Sequence, residues 1–125
     1  MNLARLYDGF NPATGPFFHP GHRRVDDQAE RERAAGFLRE GTVVLRSLGL
    51  DVDAVEPGRG HVVPGSFRTD GAWIWSDAHA YYLVQHGIAL PDEFQSHLVA
   101  CEYQCQVPAA DSIRQAAGLL LGPRS

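Results

Sequence analysis

The chain has 125 residues, 44% of them hydrophobic and 21% charged, which suits one globular domain and leaves no material for two independent cores. A formal net charge of −4 argues against a nucleic-acid partner, because phosphate binding wants a basic face. No run approaches the roughly 20 apolar residues of a membrane span, and the amino terminus, MNLARLYDGFNPATG, lacks the apolar stretch of a secretion signal, so the expectation is a cytoplasmic protein without a membrane partner.

Residues 1 to 24 mix Gly9, Pro12, Gly15, Pro16, Pro20 and Gly21 with Phe10, Phe17 and Phe18. Such a mixture makes a poor helix or strand, and its aromatics predict an irregular segment packed on a single domain spanning 1–125. The stretch 26–40 reads as a helix, with Asp26 or Asp27 as N-cap, Gly41 as stop, and Glu30, Arg31, Glu32 and Arg33 on a solvated face. A strand follows over TVVLRSL, 42–48. A connection rich in Gly, Pro and Asp, 49–60, then leads to the strand HVV.

FRTDGAWIW, 67–75, predicts a β-hairpin, since Asp70-Gly71 suits a two-residue type I′ turn and sits between β-branched and aromatic runs. That turn sets Thr69 opposite Ala72, Arg68 opposite Trp73, Phe67 opposite Ile74 and Ser66 opposite Trp75. One face then carries Phe67, Thr69, Ala72 and Ile74, and the other carries Ser66, Arg68, Trp73 and Trp75. The first face is the more uniformly apolar, so helices are expected to cover it. The second is expected to stay partly exposed, with Arg68 and Trp73 as a cation–π pair.

Ser76-Asp77 supplies an N-cap for a helix closed by Gly87. Pro91-Asp92 starts another, over 91–105, and a third runs over 109–122 until Gly122-Pro123. The order of elements gives an α+β fold, a small antiparallel sheet with a two-residue hairpin packed by three to four helices.

Candidate chemistry is sparse. His97, Cys101 and Cys105 fall on one stripe of a helix, but the ends of a straight eight-residue span lie about 12 Å apart, too far for one ion. Phe94 and Leu98 share that stripe, so these residues are read as packing, the two cysteines as free thiols of a reducing compartment, and no metal or cofactor is expected. His19, His22 and His61 are read as surface histidines. His79, Tyr82 and His86 share one face of the helix begun by Asp77, an arrangement suited to acid–base work. No nucleophile elbow or phosphate-binding loop accompanies them.

The run SFRTDGAWIWSDAHAYYLVQHGIALPDEFQSHL, 66–98, with RTDG before two alternating tryptophans, HG at a helix end and PDEF at a helix start, resembles a segment of small actinobacterial proteins similar to the immunity partners of polymorphic toxins. The resemblance implies a protein-binding module, an immunity-type inhibitor that neutralises a toxin or effector domain, with no catalytic residues to transfer. Its partner surface is expected to use Arg68, Asp70, Trp73 and Trp75 with the loop acids Asp51, Asp53 and Glu56, because aromatic and arginine anchors dominate hot spots and acids meet a basic cleft. The alternative is a small enzyme or small-molecule-binding accessory protein using His79, Tyr82 and His86.

Overall fold

The structure, a computed structural model, describes residues 1–122. In chain order it holds β1 (Asn2–Leu3), β2 (Gly9–Asn11), β3 (Gly15–Phe17), α1 (Gln28–Glu40), β4 (Thr42–Leu45) and β5 (Leu50–Val52). A 3₁₀ turn, Pro57–Arg59, leads to β6 (His61–Pro64), β7 (Phe67–Thr69), β8 (Trp73–Ser76), α2 (Asp77–His86), α3 (Asp92–Ala100) and α4 (Ala110–Leu121). The main sheet runs β1-β8-β7-β4, antiparallel except where β1 lies parallel to β8, and β2-β3 and β5-β6 form two separate ribbons. The α+β class stands. Within the described residues no helix is long and apolar enough to cross a membrane.

Local chemistry accounts for most helix ends. The Asp27 side chain accepts from the Ala29 N–H at the start of α1, and Ser76 with His79 forms a capping box at the start of α2. Gly87 closes α2 in the left-handed region, with φ of 70°. Two expectations fail at ends. The strand expected over 42–48 stops at Leu45, and α3 stops at Ala100 because Glu102 and Tyr103 both take positive φ and turn the chain away. Cys105 is therefore off the helix. Pro123, expected to end α4, lies outside the described residues.

The amino-terminal region is more regular than its composition predicts. Met1 to Phe17 supplies an edge strand and a hairpin, because Gly15 provides the positive φ that a tight reversal needs. Likewise 49–60 is not all connection, since β5 pairs with β6 across it. Arg31, expected in solvent, turns inward to donate from Nε to the Val25 carbonyl at 2.5 Å.

The hairpin differs from the expected one in register and in what covers it. Thr69 pairs with Ile74, Arg68 with Trp75 and Phe67 with Ser76, so the tip is Gly71-Ala72, with Gly71 at φ of 98°. Asp70 does not enter the left-handed region. Its side chain takes the N–H groups of Ala72 and Trp73, both at 2.9 Å. Partners shift by two residues, so each side chain keeps its expected face.

The helices cover the tryptophan face, contrary to expectation. Trp75 is fully buried between Phe37 of α1 and Phe94 of α3, and Trp73 stacks on Phe94 with centroids 5.0 Å apart. The reason lies at the end of α1, whose last carbonyls have no partner within the helix. Trp75 Nε1 donates to the Leu38 carbonyl at 2.9 Å, and Arg68 Nη1 donates to the carbonyls of Arg39 and Gly41 at 3.0 and 2.8 Å. Arg68 Nε adds a 2.6 Å bond to Asp77. The guanidinium is thereby committed to α1 and α2, and the expected cation–π pair with Trp73 is replaced by these bonds.

A second core joins Val63, Ala78, Tyr82 and Ile88 and draws in Tyr7 and Phe18 from the amino-terminal segment. On the hairpin's other face Thr69 and Ile74 are fully buried too, so both faces are core.

Gly41 is more than a helix stop. A Cβ there would stand 2.4 Å from the Trp75 ring, whereas one at Gly36, inside α1, meets nothing within 4 Å. Gly41→Ala should therefore cost about 1–3 kcal/mol by overpacking, and Gly36→Ala should gain about 0.5–1 kcal/mol from helix propensity. Urea unfolding of the two variants checks the opposite signs; a shared sign would mean that Trp75 is not seated against Gly41.

Candidate functional site

With the hairpin committed to packing, exposed apolar side chains lie elsewhere, in the carboxy-terminal half at Val99, Val107, Leu119 and Leu121 and in the amino-terminal half at Leu3, Phe10, Leu48 and Leu50. A groove of about 780 Å³ runs between the segment Leu3 to Phe10 and a wall made by Ser47, Asp51, Gly65, Phe67, Ser76 and His79. Two apolar side chains that line it are open to solvent: Phe10 is 70% exposed and Leu3 58%. Val52, which shares β5 with Leu50, is also exposed. These residues follow from thin local structure. β1, β2 and β5 are two or three residues long, so they place apolar side chains without a second layer to cover them.

The wall is held by hydrogen bonds to buried polar groups. Ser76 N donates to His79 Nδ1 at 3.0 Å, so Nε2 carries the proton and faces the Arg5 carbonyl at 3.2 Å, which fixes the amino-terminal segment to α2. Burial lowers the His79 pKa, its backbone bonds notwithstanding, and the ring is a neutral strut. Tyr82 is buried, and its hydroxyl accepts from the Ala54 N–H at 3.0 Å. Burial first, and the Tyr7 hydroxyl next, push that phenol strongly upward.

Asp53 fastens the loop after β5. It is fully buried; Oδ1 accepts from the N–H groups of Val55 and Glu56 at 2.8 Å, and Oδ2 accepts from Tyr81 Oη and His86 Nε2 at 2.6 Å. Burial pushes its pKa up, but the bonds from Tyr81, His86, Glu56 and Val55 more than offset this and hold the carboxyl at about 2. Asp8 does the same for the amino-terminal segment. Its Oδ2 accepts from His19 N at 2.8 Å and lies 2.8 Å from His22 Nδ1, while His22 Nε2 lies 2.9 Å from the Ala89 carbonyl. Burial opposes ionisation of Asp8, and those bonds lower its pKa nonetheless. His22, expected at the surface, is a tie between the segment and the domain.

The residues expected to meet a partner therefore divide. Trp75, Asp53 and Asp70 are buried, because the indole seats α1 and the two carboxylates hold their own loops, so none of them offers a surface. Arg68 and Trp73 are half-buried, the first engaged at α1 and the second stacked on Phe94. Asp51 lies in the groove wall and is exposed; Glu56 is exposed and paired with Arg59 at 2.8 Å. His79, Tyr82 and His86 do share α2, but their polar atoms serve Ser76, Arg5, Ala54 and Asp53. Phe10, expected among the aromatics that pack the amino-terminal segment onto the domain, is exposed instead, and Leu3 carries no signal of its own, since an exposed apolar residue reads like a core one in sequence. The thiols are not activated either. Burial, then Asp70, raises Cys101, and burial with neighbouring acids pushes Cys105 up to about 11.

Comparison with known protein families, curated proteins and solved structures finds no match for the chain.

Asp53 gives a pH signature with a defined sign. Its pKa is depressed in the folded protein, from an ordinary 3.8 to about 2, so its contribution is complete above about pH 4 and is lost as pH falls through 2. The shift corresponds to about 2 kcal/mol. Asp53→Asn should lower stability by that order at pH 7 and flatten the loss between pH 4 and 2, as read by urea unfolding across that range. An unchanged acid profile would mean that other carboxylates govern it.

Proposed function

We propose that this protein is a protein-binding module of the immunity type, which neutralises a toxin or effector domain by seating part of it in the groove beside β5. The observation that carries this reading is the groove itself: about 780 Å³, with the apolar side chains of Leu3 and Phe10 open to solvent and Asp51 in its wall. Contiguous exposed apolar surface is uncommon on a protein that works alone, and it marks partner sites. The acid and the net charge of −4 favour a partner presenting apolar side chains beside basic groups.

An enzyme or small-molecule-binding role at His79, Tyr82 and His86 has less support. Catalysis needs a group free to move a proton at a pocket, and here the imidazole of His79 and the hydroxyl of Tyr82 are buried struts.

The test is co-expression with the product of the neighbouring gene, whose expression alone this reading expects to arrest growth. Wild type should restore growth, while Phe10→Asp and Leu3→Asp should lose protection and weaken binding about tenfold or more, as an anchor worth over 1.4 kcal/mol requires. Both positions are exposed, so melting should change little. Failure of wild type to protect overturns the immunity reading; protection by both variants moves the binding surface off the groove.

A further inference from the structure

The hairpin tip and the end of α3 bring together a buried carboxylate, an imidazole and a thiol. Asp70 Oδ2 lies 2.6 Å from His97 Nε2, and Cys101 Sγ lies 3.7 Å from the same nitrogen. The three donor atoms all fall within 4.8 Å of one another. We propose that Asp70, His97 and Cys101 form a binding site for a divalent ion of the zinc class.

Two features set this cluster apart from the other two Asp–His pairs. First, Asp8 Oδ2 also serves the His19 N–H and Asp53 Oδ2 also serves Tyr81, whereas Asp70 Oδ2 meets His97 alone. Second, among the described residues this is the group in which a third potential ligand joins. As at Asp53, two backbone N–H groups hold the other oxygen, here those of Ala72 and Trp73 on Asp70 Oδ1, and they aim Oδ2 in the way that outer hydrogen bonds orient a metal-ligating carboxylate.

The donor chemistry selects the ion. Thiolate, imidazole and carboxylate together suit zinc, whereas calcium and magnesium take oxygen alone. Three protein ligands leave a tetrahedral ion one further position. At zinc bond lengths of about 2.0 to 2.3 Å the ligand atoms stand about 3.3 to 3.6 Å apart, so the Cys101–His97 spacing of 3.7 Å nearly fits as it stands, and the Asp70–His97 contact has to open by about 0.7 Å. On binding, Cys101 forms the metal–sulfur bond and releases its proton to solvent, while His97 coordinates through Nε2 and carries its proton on Nδ1.

His97, Cys101 and Cys105 along a single helix would not converge on one ion. The third ligand comes instead from the hairpin, and Cys105 is not among the converging donors. None of the three ligands lines the groove, so the inference stands independently of the proposed function.

The experiment uses the full chain, stripped with a chelator and titrated with Co²⁺ as a spectroscopic probe and separately with Zn²⁺. Wild type should develop a thiolate-to-cobalt charge-transfer band that saturates at one equivalent, and micromolar Zn²⁺ should raise its melting temperature while Mg²⁺ does not. Cys105→Ser should behave as wild type, and Cys101→Ser should lose both the band and the shift. Asp70→Asn should weaken Co²⁺ binding about tenfold or more. Absence of the band in wild type, or its loss in Cys105→Ser with retention in Cys101→Ser, overturns the proposal. The two cysteine variants decide the matter even if Asp70→Asn does not fold.

Discussion

The end of α1 sets the arrangement of the whole domain. A helix that stops against a sheet leaves carbonyls without partners, and protein donors can take them up. Arg68 and Trp75, cross-strand partners on one face of the hairpin, supply those donors to Leu38, Arg39 and Gly41. Once they do, the tryptophan face has to lie under α1, and Phe94 of α3 closes over it. The absence of a side chain at Gly41 lets the indole approach. Arg68 is thus a cap on a helix more than a charge on a surface.

The same requirement, that a buried polar group find a partner, fastens the irregular parts. Asp8, Asp53 and Asp70 each accept backbone N–H groups from the turn they belong to or face, and each also takes an imidazole from a distant element: His22, His86 and His97. A carboxylate has acceptor positions to spare on two oxygens, so one side chain can order a turn and bind it to the domain at once. The result is a chain rich in glycine and proline whose loops are nonetheless fixed. It also explains why most ionisable side chains in the interior have no free valence for chemistry, the tip of the hairpin being the exception through Cys101.

These commitments bear on where the proposed partner surface lies. Arg68 and Trp75, residue types suggestive of recognition, serve the architecture. The proposed groove is edged by short strands that leave apolar side chains open at Leu3 and Phe10. Both the groove and the Asp70–His97–Cys101 cluster depend on elements far apart in sequence, the first on 3–10 with 47–79 and the second on 70 with 97–101.

What the sequence determined by itself is what local chemistry controls. The α+β class, α1 and α2 with their caps at Asp27 and Ser76, the stop at Gly87 and the existence of a hairpin with its two faces all follow from spacing, capping and turn residues within a few positions. The register failed because Asp70 had a use the turn did not need: its side chain took two N–H groups and moved the tip to Gly71-Ala72. β1 and β5 were not legible, since strands of two or three residues carry almost no pattern and exist only through their partners. Only the tertiary structure decided which hairpin face was covered, because the deciding donors and carbonyls, Arg68 and Trp75 against Leu38 to Gly41, lie about thirty residues apart, beyond the reach of any periodicity.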